Sequence, residues 1–310
     1  MATVVITGGT GLVGTALAKS LLDKGHAVII LTRKIDPARQ QAGVSYALWD
    51  VEKNYIDPKA LADANAIIHL AGANVAEKRW TKKRKQEIID SRVKTGECIV
   101  HALQNNPHKV TVVAGASGIG YYGPDPVIPN PRPFDEEDKP FTDYLATTCV
   151  QWEKALEPVK TMGIKLVTLR TGIVLAREGG ALDKFKQPLR FGVATVLGNG
   201  KQVVSWIHIE DLVRLYIRAL ENESMEGVYN AVAPAPVSNK ILMLTLARRI
   251  KGKYFTAFHV PVFILKLVLG EMSIEVLKSA TVSCIKLHAE NFNFIYPGIE
   301  AAIDDCVKRN

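Results

Sequence analysis

The chain has 310 residues, of which 47% are apolar and 23% charged, with a formal net charge of +8. That balance suits one large or two closely joined globular units, and the absence of any repeat or low-complexity segment excludes solenoid and linker-like architectures. The longest apolar run, VPVFILKLVLGEM from Val260 to Met272, contains Lys266 and falls short of the roughly 20 residues that cross a bilayer. It predicts a buried helix and no membrane partner.

The four cysteines, Cys98, Cys149, Cys284 and Cys306, have no metal-like spacing, and the opening MATVVITGG carries no basic segment leading into a cleavable apolar one. The expectation is a cytoplasmic protein with free thiols and no metal site.

Residues 2–6, ATVVI, are short, apolar and β-branched and predict a first strand. The turn TGGTGLVG follows, with Gly8, Gly11 and Gly14 at three-residue intervals, and then a helix whose Leu17, Leu21 and Leu22 share a face. Glycines at this spacing between a strand and a helix let the backbone approach a pyrophosphate, whose charge the helix N-terminus favours. A dinucleotide site is therefore expected here.

HAVIILTRK supplies a second strand at residues 27–31, and Thr32, Arg33 and Lys34 stand at its end. An acidic residue there would suit the free ribose of NAD, whereas two cations suit a 2′-phosphate, which guanidinium grips in a charge-assisted fork. The expected cofactor is NADP(H).

VSYALWD and NAIIHLAG continue the pattern as third and fourth strands. KRWTKKRKQ, residues 78–86, sets six cations around Trp80, but it runs into a stretch where Ile88, Ile89, Val93 and Ile99 keep helical spacing. The charges read as a solvated helix face rather than a nucleic-acid surface.

KVTVVAGAS is the fifth strand. Residues 121–140 then carry six prolines and predict a long loop at the carboxyl end of the sheet, where ligands bind in such folds. IKLVTLRTG is the sixth strand. Together these elements predict an α/β fold with a Rossmann-type doubly wound parallel sheet, followed by a smaller, mainly helical C-terminal substrate domain. The expected division is 1–170 plus 205–233 for the NADP-binding domain and 171–204 plus 234–310 for the substrate domain.

Within the second unit, Asn199-Gly200 between apolar segments signals a hairpin. Lys184, Lys186, Arg190 and Lys201 either face an anionic small-molecule substrate or are surface charge. His208 beside Asp211 reads as a fixed structural contact, with no second histidine at metal spacing.

Several motifs together resemble an extended short-chain dehydrogenase/reductase: TGxxGxxG, the pair Asp50-Val51, HLAG at His69–Gly72, YYG at Tyr121–Gly123, and WIHIEDL at Trp206–Leu212. The pair Arg79-Trp80, the SRV around Arg92, LRTGIVL across Arg170 and LGEM at Leu269 are similar to the atypical subgroup of epimerase family proteins, related to nucleotide-sugar epimerases. The resemblance covers nearly the whole chain.

It implies Thr32 and Arg33 at the adenosine phosphate and Leu70, Ala71 and Gly72 along the cofactor. Further cofactor contacts are implied at Leu12, Val13, Asp50, Glu87, Arg92 and Thr171, Arg92 being equally compatible with a structural salt bridge. Ser117 is placed beside the substrate, although a buried serine capping the loop would look identical in sequence, and such scaffolds often form homodimers.

Typical members pair a tyrosine with a lysine four residues on, which lowers the phenol pKa and holds the nicotinamide ribose. Here Tyr144 lies 27 residues after Ser117 but is followed at that spacing by Thr148. Shifting the register by one gives Leu145 and Cys149, so neither alignment restores the pair. Two functions stay open: an NADP(H)-dependent oxidoreductase or epimerase using Ser117 and Tyr144, or an NADP(H)-binding sensor without efficient catalysis.

Overall fold

The computed structural model describes residues 1–36 and 42–308, so the final two residues of the expected second unit lie outside it. The chain alternates strand and helix from the start: β1 (Thr3–Thr7), α1 (Leu12–Asp23), β2 (Ala27–Thr32), β3 (Val44–Asp50), β4 (Tyr55–Ile56), α2 (Pro58–Ala62), β5 (Ala66–His69), α3 (Lys82–Asn105), β6 (Val112–Gly118), α4 (Tyr144–Leu156) and β7 (Lys165–Thr171). After β7 come β8 (Ile173–Leu175), α5 (Gly180–Leu189), β9 (Val193–Leu197), β10 (Val203–Val204), β11 (Trp206–His208), α6 (Ile209–Glu221) and β12 (Gly227–Ala231). The chain closes with β13 (Val237–Ser238), α7 (Asn239–Lys251), β14 (Thr256–Val260), α8 (Val262–Leu269), α9 (Ser273–Leu277), α10 (Ile285–Ala289) and α11 (Ile299–Val307).

Eight strands form one sheet in the order β12-β7-β6-β5-β1-β2-β3-β4, parallel except for the short edge strand β4. Chain order reverses between β1 and β5, the switch point at which a doubly wound sheet opens a crevice beyond its carboxyl ends.

The apolar runs read as buried strands because both faces are covered. Val4 and Ile6 of β1 pack with Leu17 and Leu21 of α1 and Leu215 of α6 on one side. Val5 meets Ile99 and Leu103 of α3 and Leu156 of α4 on the other. A separate core joins α5, α7 and α11 around Leu182, Leu246 and Ile303.

Two expectations fail in the later half. Asn199-Gly200 does form a tight turn, with Gly200 at φ +72°, but no hairpin. β9 pairs in parallel with β14, and β10 pairs with β13, so the strands on either side of the turn never meet. Within the run Val260–Met272 α8 forms as a helix, but it is not buried: only Leu265 is fully covered, Ile264 and Leu269 are half-buried, and Phe263, Leu267 and Val268 are exposed. Helical pattern and hydrophobicity were legible there, but no neighbouring layer covers the outer face.

Candidate functional site

The crevice begins where β1 hands over to α1. Gly8 has φ +68°, and a Cβ on it would lie 3.0 Å from the backbone of Leu70 and Ala71, so only glycine lets this turn touch the end of β5. A Cβ on Gly14 would come within 2.4 Å of the Gly8 carbonyl oxygen, which is why α1 can start directly against the turn. Gly9, not singled out by its spacing, is equally confined: a Cβ there would meet the Ile30 side chain at 2.7 Å.

Gly11 caps α1 with no side-chain hydrogen bond, and no acidic residue occupies the first turn. The first-turn N–H groups around Leu12 and Val13 therefore have no capping side chain, and they stand at the positive end of the helix. Leu12 packs toward the turn at Gly179 and Gly180.

A buried polar clamp holds β1 and β5 in register beneath this turn. Thr7 Oγ1 lies 2.8 Å from His69 Nδ1 and accepts from the backbone N–H groups of Leu70 and Ala71 at 3.1 and 3.2 Å. Thr95 Oγ1 stands 3.3 Å from the other ring nitrogen. Burial holds the His69 pKa down at about 4, so the imidazole is neutral at physiological pH. Sequence reasoning quoted His69 but missed this role, because its partners lie 62 and 26 residues away.

At the end of β2, the Thr32 hydroxyl donates to the Lys34 carbonyl, and Arg33 and Lys34 are exposed. Asp50 ends β3, accepting from the Lys53 N–H and pairing with its ammonium at 3.4 Å. Gly72 follows β5, and a Cβ there would lie 3.0 Å from the Arg92 Cζ.

Arg92 is the unusual cation of this crevice. It is 9% exposed, and its Nη1 donates to the carbonyls of Ala73 and Ile88, both at 3.0 Å. Its guanidinium lies 4.7 Å from the Trp152 ring centroid, yet it has no carboxylate partner among the described residues. Burial lowers its pKa, while Cys149 and Tyr144 pull the other way. The salt-bridge reading of Arg92 is therefore not what the structure holds. Glu87, itself exposed, pairs instead with the buried Arg84 at 2.8 Å.

The two expected catalytic hydroxyls are both engaged by protein. Tyr144 donates to the Lys85 carbonyl at 2.9 Å and packs edge-on against Trp80 at 5.0 Å. Burial raises its pKa, against the pull of Arg92 and Arg84. Thr148 turns its hydroxyl back to the Tyr144 carbonyl. Cys149 is buried with its thiol pushed up to about 11 by desolvation, and it donates to the Gly118 carbonyl. No side chain at either register of α4 brings a cation.

Ser117, 4% exposed, donates to Glu153 Oε1 at 2.7 Å. Glu153 in turn accepts from Arg170 Nε and Nη2, each at 2.9 Å, a bidentate fork. Arg170 Nη1 donates to Tyr122 Oη, which donates to Asn230, and the guanidinium stacks 3.3 Å from the Tyr121 ring centroid. Burial opposes the charge on Arg170, but Glu153 prevails and its pKa rises. Thr171, next in β7, is half-buried at the strand's carboxyl end.

The more distant candidates take other roles. His208 Nδ1 accepts from the Glu210 N–H at the start of α6, and its ring lies 3.9 Å from Tyr296. Asp211 accepts from the N–H groups of Ile295 and Tyr296 at 2.8 and 2.9 Å, and His208 Nε2 lies 3.5 Å from Asp305, so each is held by other protein groups. Lys186 donates to the Arg177 and Cys306 carbonyls, whereas Lys184, Arg190 and Lys201 are exposed.

Comparison with known proteins adds an outside measure. Residues 4–231 match the NAD dependent epimerase/dehydratase family, and residues 260–306 match a domain of unknown function, DUF1731. An epimerase family protein of Staphylococcus saprophyticus is 38% identical over 305 residues, covering 98% of each chain. The crystal structure of the human epimerase family protein SDR39U1 with NADPH superposes with a TM-score of 0.85 at 26% identity, covering 98% of both chains. A nucleoside-diphosphate sugar epimerase from Corynebacterium glutamicum is 30% identical with a TM-score of 0.76, over 97% of this chain and 57% of that one.

Proposed function

The chain belongs to the NAD dependent epimerase/dehydratase family, and on that premise we propose that it binds NADP(H) and acts as an oxidoreductase or epimerase on a small, unidentified molecule. One observation carries the reading: Gly8 and Gly14 leave a turn against β5 that any Cβ would fill, at the uncapped N-terminus of α1. A pyrophosphate fits such a cradle.

In this reading the N–H groups around Leu12 and Val13 hold the pyrophosphate, and Thr32, Arg33 and Lys34 hold the adenosine 2′-phosphate. Asp50, Leu70, Ala71 and Gly72 line the adenosine and ribose side, with Arg92 and Thr171 toward the nicotinamide and Glu87 at the rim. The preference for NADP(H) over NAD rests on the two exposed cations after β2 and on the NADPH bound by the human relative.

The cofactor supplies hydride exchange at nicotinamide C4. Tyr144 keeps its proton at neutral pH, because burial raises its pKa. It can therefore donate that proton to a forming alkoxide only if it turns from the Lys85 carbonyl. Ser117 orients the substrate oxygen only if it turns from Glu153. Residues 1–170 plus 205–233 form the cofactor unit and 171–204 plus 234–310 the substrate unit. Four free buried cysteines suit a cytoplasmic setting, and a homodimer is the assembly we favour.

A second reading, cofactor sensing without efficient turnover, is favoured by one specific observation: Ser117 and Tyr144 both donate to protein acceptors, and α4 brings no cation to them. Fluorescence titration with NADPH and NADH tests the common premise. NADPH should bind more tightly, and Arg33→Ala should remove about 1–2 kcal/mol of that preference. Equal binding of both nucleotides by the unaltered protein would overturn the assignment of NADP(H). Single-turnover oxidation of bound NADPH by a carbonyl panel then separates enzyme from sensor.

A further inference from the structure

We propose that α8, together with the cationic approach to α3, docks this protein on an anionic lipid surface. α8 reads VFILKLVL, and Phe263, Leu267 and Val268 are 70%, 73% and 61% exposed, followed by Ile274 of α9 at 60%. Side chains exposed to that degree form a ridge that stands out from the surface rather than the wall of a cleft. Four large apolar groups on one short stretch are an unusual solvent-facing feature and call for a covering partner.

The charge beside the ridge identifies that partner. Arg79 Nη2 donates to the Leu267 carbonyl at 2.8 Å, and Lys85 pairs with Glu271, so the basic run is fastened to α8 and the turn after it. The carboxylates nearby are engaged by protein: Glu77 and Glu87 share Arg84, Asp143 and Glu275 share Lys278, Glu271 has Lys85, and Asp90 accepts from the Gln86 amide. Lys78, Lys82, Lys83 and Lys266 are exposed, with no carboxylate partner among the described residues.

Apolar side chains bordered by exposed lysines, where cations outnumber carboxylates, match a bilayer surface, where acyl chains receive the ridge and acidic headgroups the cations. A second copy of the chain would bring like charges together around the same ridge. A nucleic acid would engage the lysines but leave the apolar side chains in water. The contact is one of lying on the membrane: α8 has eight residues, far short of a span. It is independent of the cofactor reading.

The test is flotation of the full chain with phosphatidylcholine vesicles, with and without phosphatidylserine. The protein should float only with the acidic vesicles. Leu267→Glu with Val268→Glu, and separately Lys82→Glu with Lys83→Glu, should each cut the bound fraction about tenfold. Unchanged thermal melting and far-ultraviolet circular dichroism establish that these variants are folded. Phe263→Trp, which needs no loss of binding to be read, should shift its emission to the blue on acidic vesicles and be quenched by brominated acyl chains.

Failure to float with acidic vesicles overturns the proposal. So does flotation that salt abolishes but the Leu267→Glu, Val268→Glu variant retains, since charge alone would then explain it. A concentration-dependent dimer that this variant dissolves would assign the ridge to a second copy instead.

Discussion

β1 and α8 are both short apolar runs, yet the fold treats them in opposite ways. Val4, Val5 and Ile6 are fully buried because β1 is central: it has strands on both sides and helices on both faces. α8 buries Leu265 and half-buries Ile264 and Leu269 but presents Val262, Phe263, Leu267 and Val268 to solvent. Composition predicts burial for both, but burial requires a neighbour, and only the order of the layers provides one.

Charge follows the same division, and breaking it there should have the largest effect. Arg170 and Glu153 form a desolvated fork, with side chains 4% and 13% exposed, whereas Glu271, which pairs with Lys85, is 58% exposed. Glu153→Ala leaves a buried cation unpaired and should cost about 3–5 kcal/mol in urea unfolding. Glu271→Ala should cost no more than about 1 kcal/mol. Equal losses would mean that the two pairs differ less in solvation than their exposure implies.

Next come the apolar residues themselves. Ile6→Ala should cost about 2–5 kcal/mol, because it removes packed methyl groups from a site closed on all sides. Leu267→Ala should change stability by less than about 0.5 kcal/mol. A large loss at Leu267 would sink the view of α8 as an unpartnered ridge.

A comparison of buried and exposed groups also follows from the pH dependence of the clamp under the glycine turn. His69 has its pKa lowered from 6.5 to about 4 when folded, so the unfolded chain takes up its proton first as the pH falls. The contribution is complete above pH 6.5 and declines toward pH 4, by an amount on the order of 3 kcal/mol. In His69→Gln that slope should vanish from stability measured across the same window. A slope that persists would assign the titration to other groups.

Much of the fold was legible because its signals are local. Continuous apolar strands, a glycine turn between strand and helix, and the proline-rich loop are written within single stretches, and the sheet follows from their alternation. The spacing of Gly8, Gly11 and Gly14 marked the turn, and the absence of a lysine four residues after Tyr144 was equally plain. The partners were not legible. Ser117 bonds to a carboxylate 36 residues on, Tyr144 to a carbonyl 59 residues back, and the hairpin signal at Asn199-Gly200 lost to parallel pairing with β14.

By itself, then, the sequence determined the alternating α/β order, the glycine turn and the cations after β2, since each depends on neighbours a few residues apart. Tertiary structure alone decided that Arg92 is buried with no carboxylate partner among the described residues, that Ser117 donates to a Glu153 held by Arg170, and that Phe263, Leu267 and Val268 of α8 are exposed. Those outcomes depend on desolvation and on contacts between distant segments, and neither exists until the layers have packed.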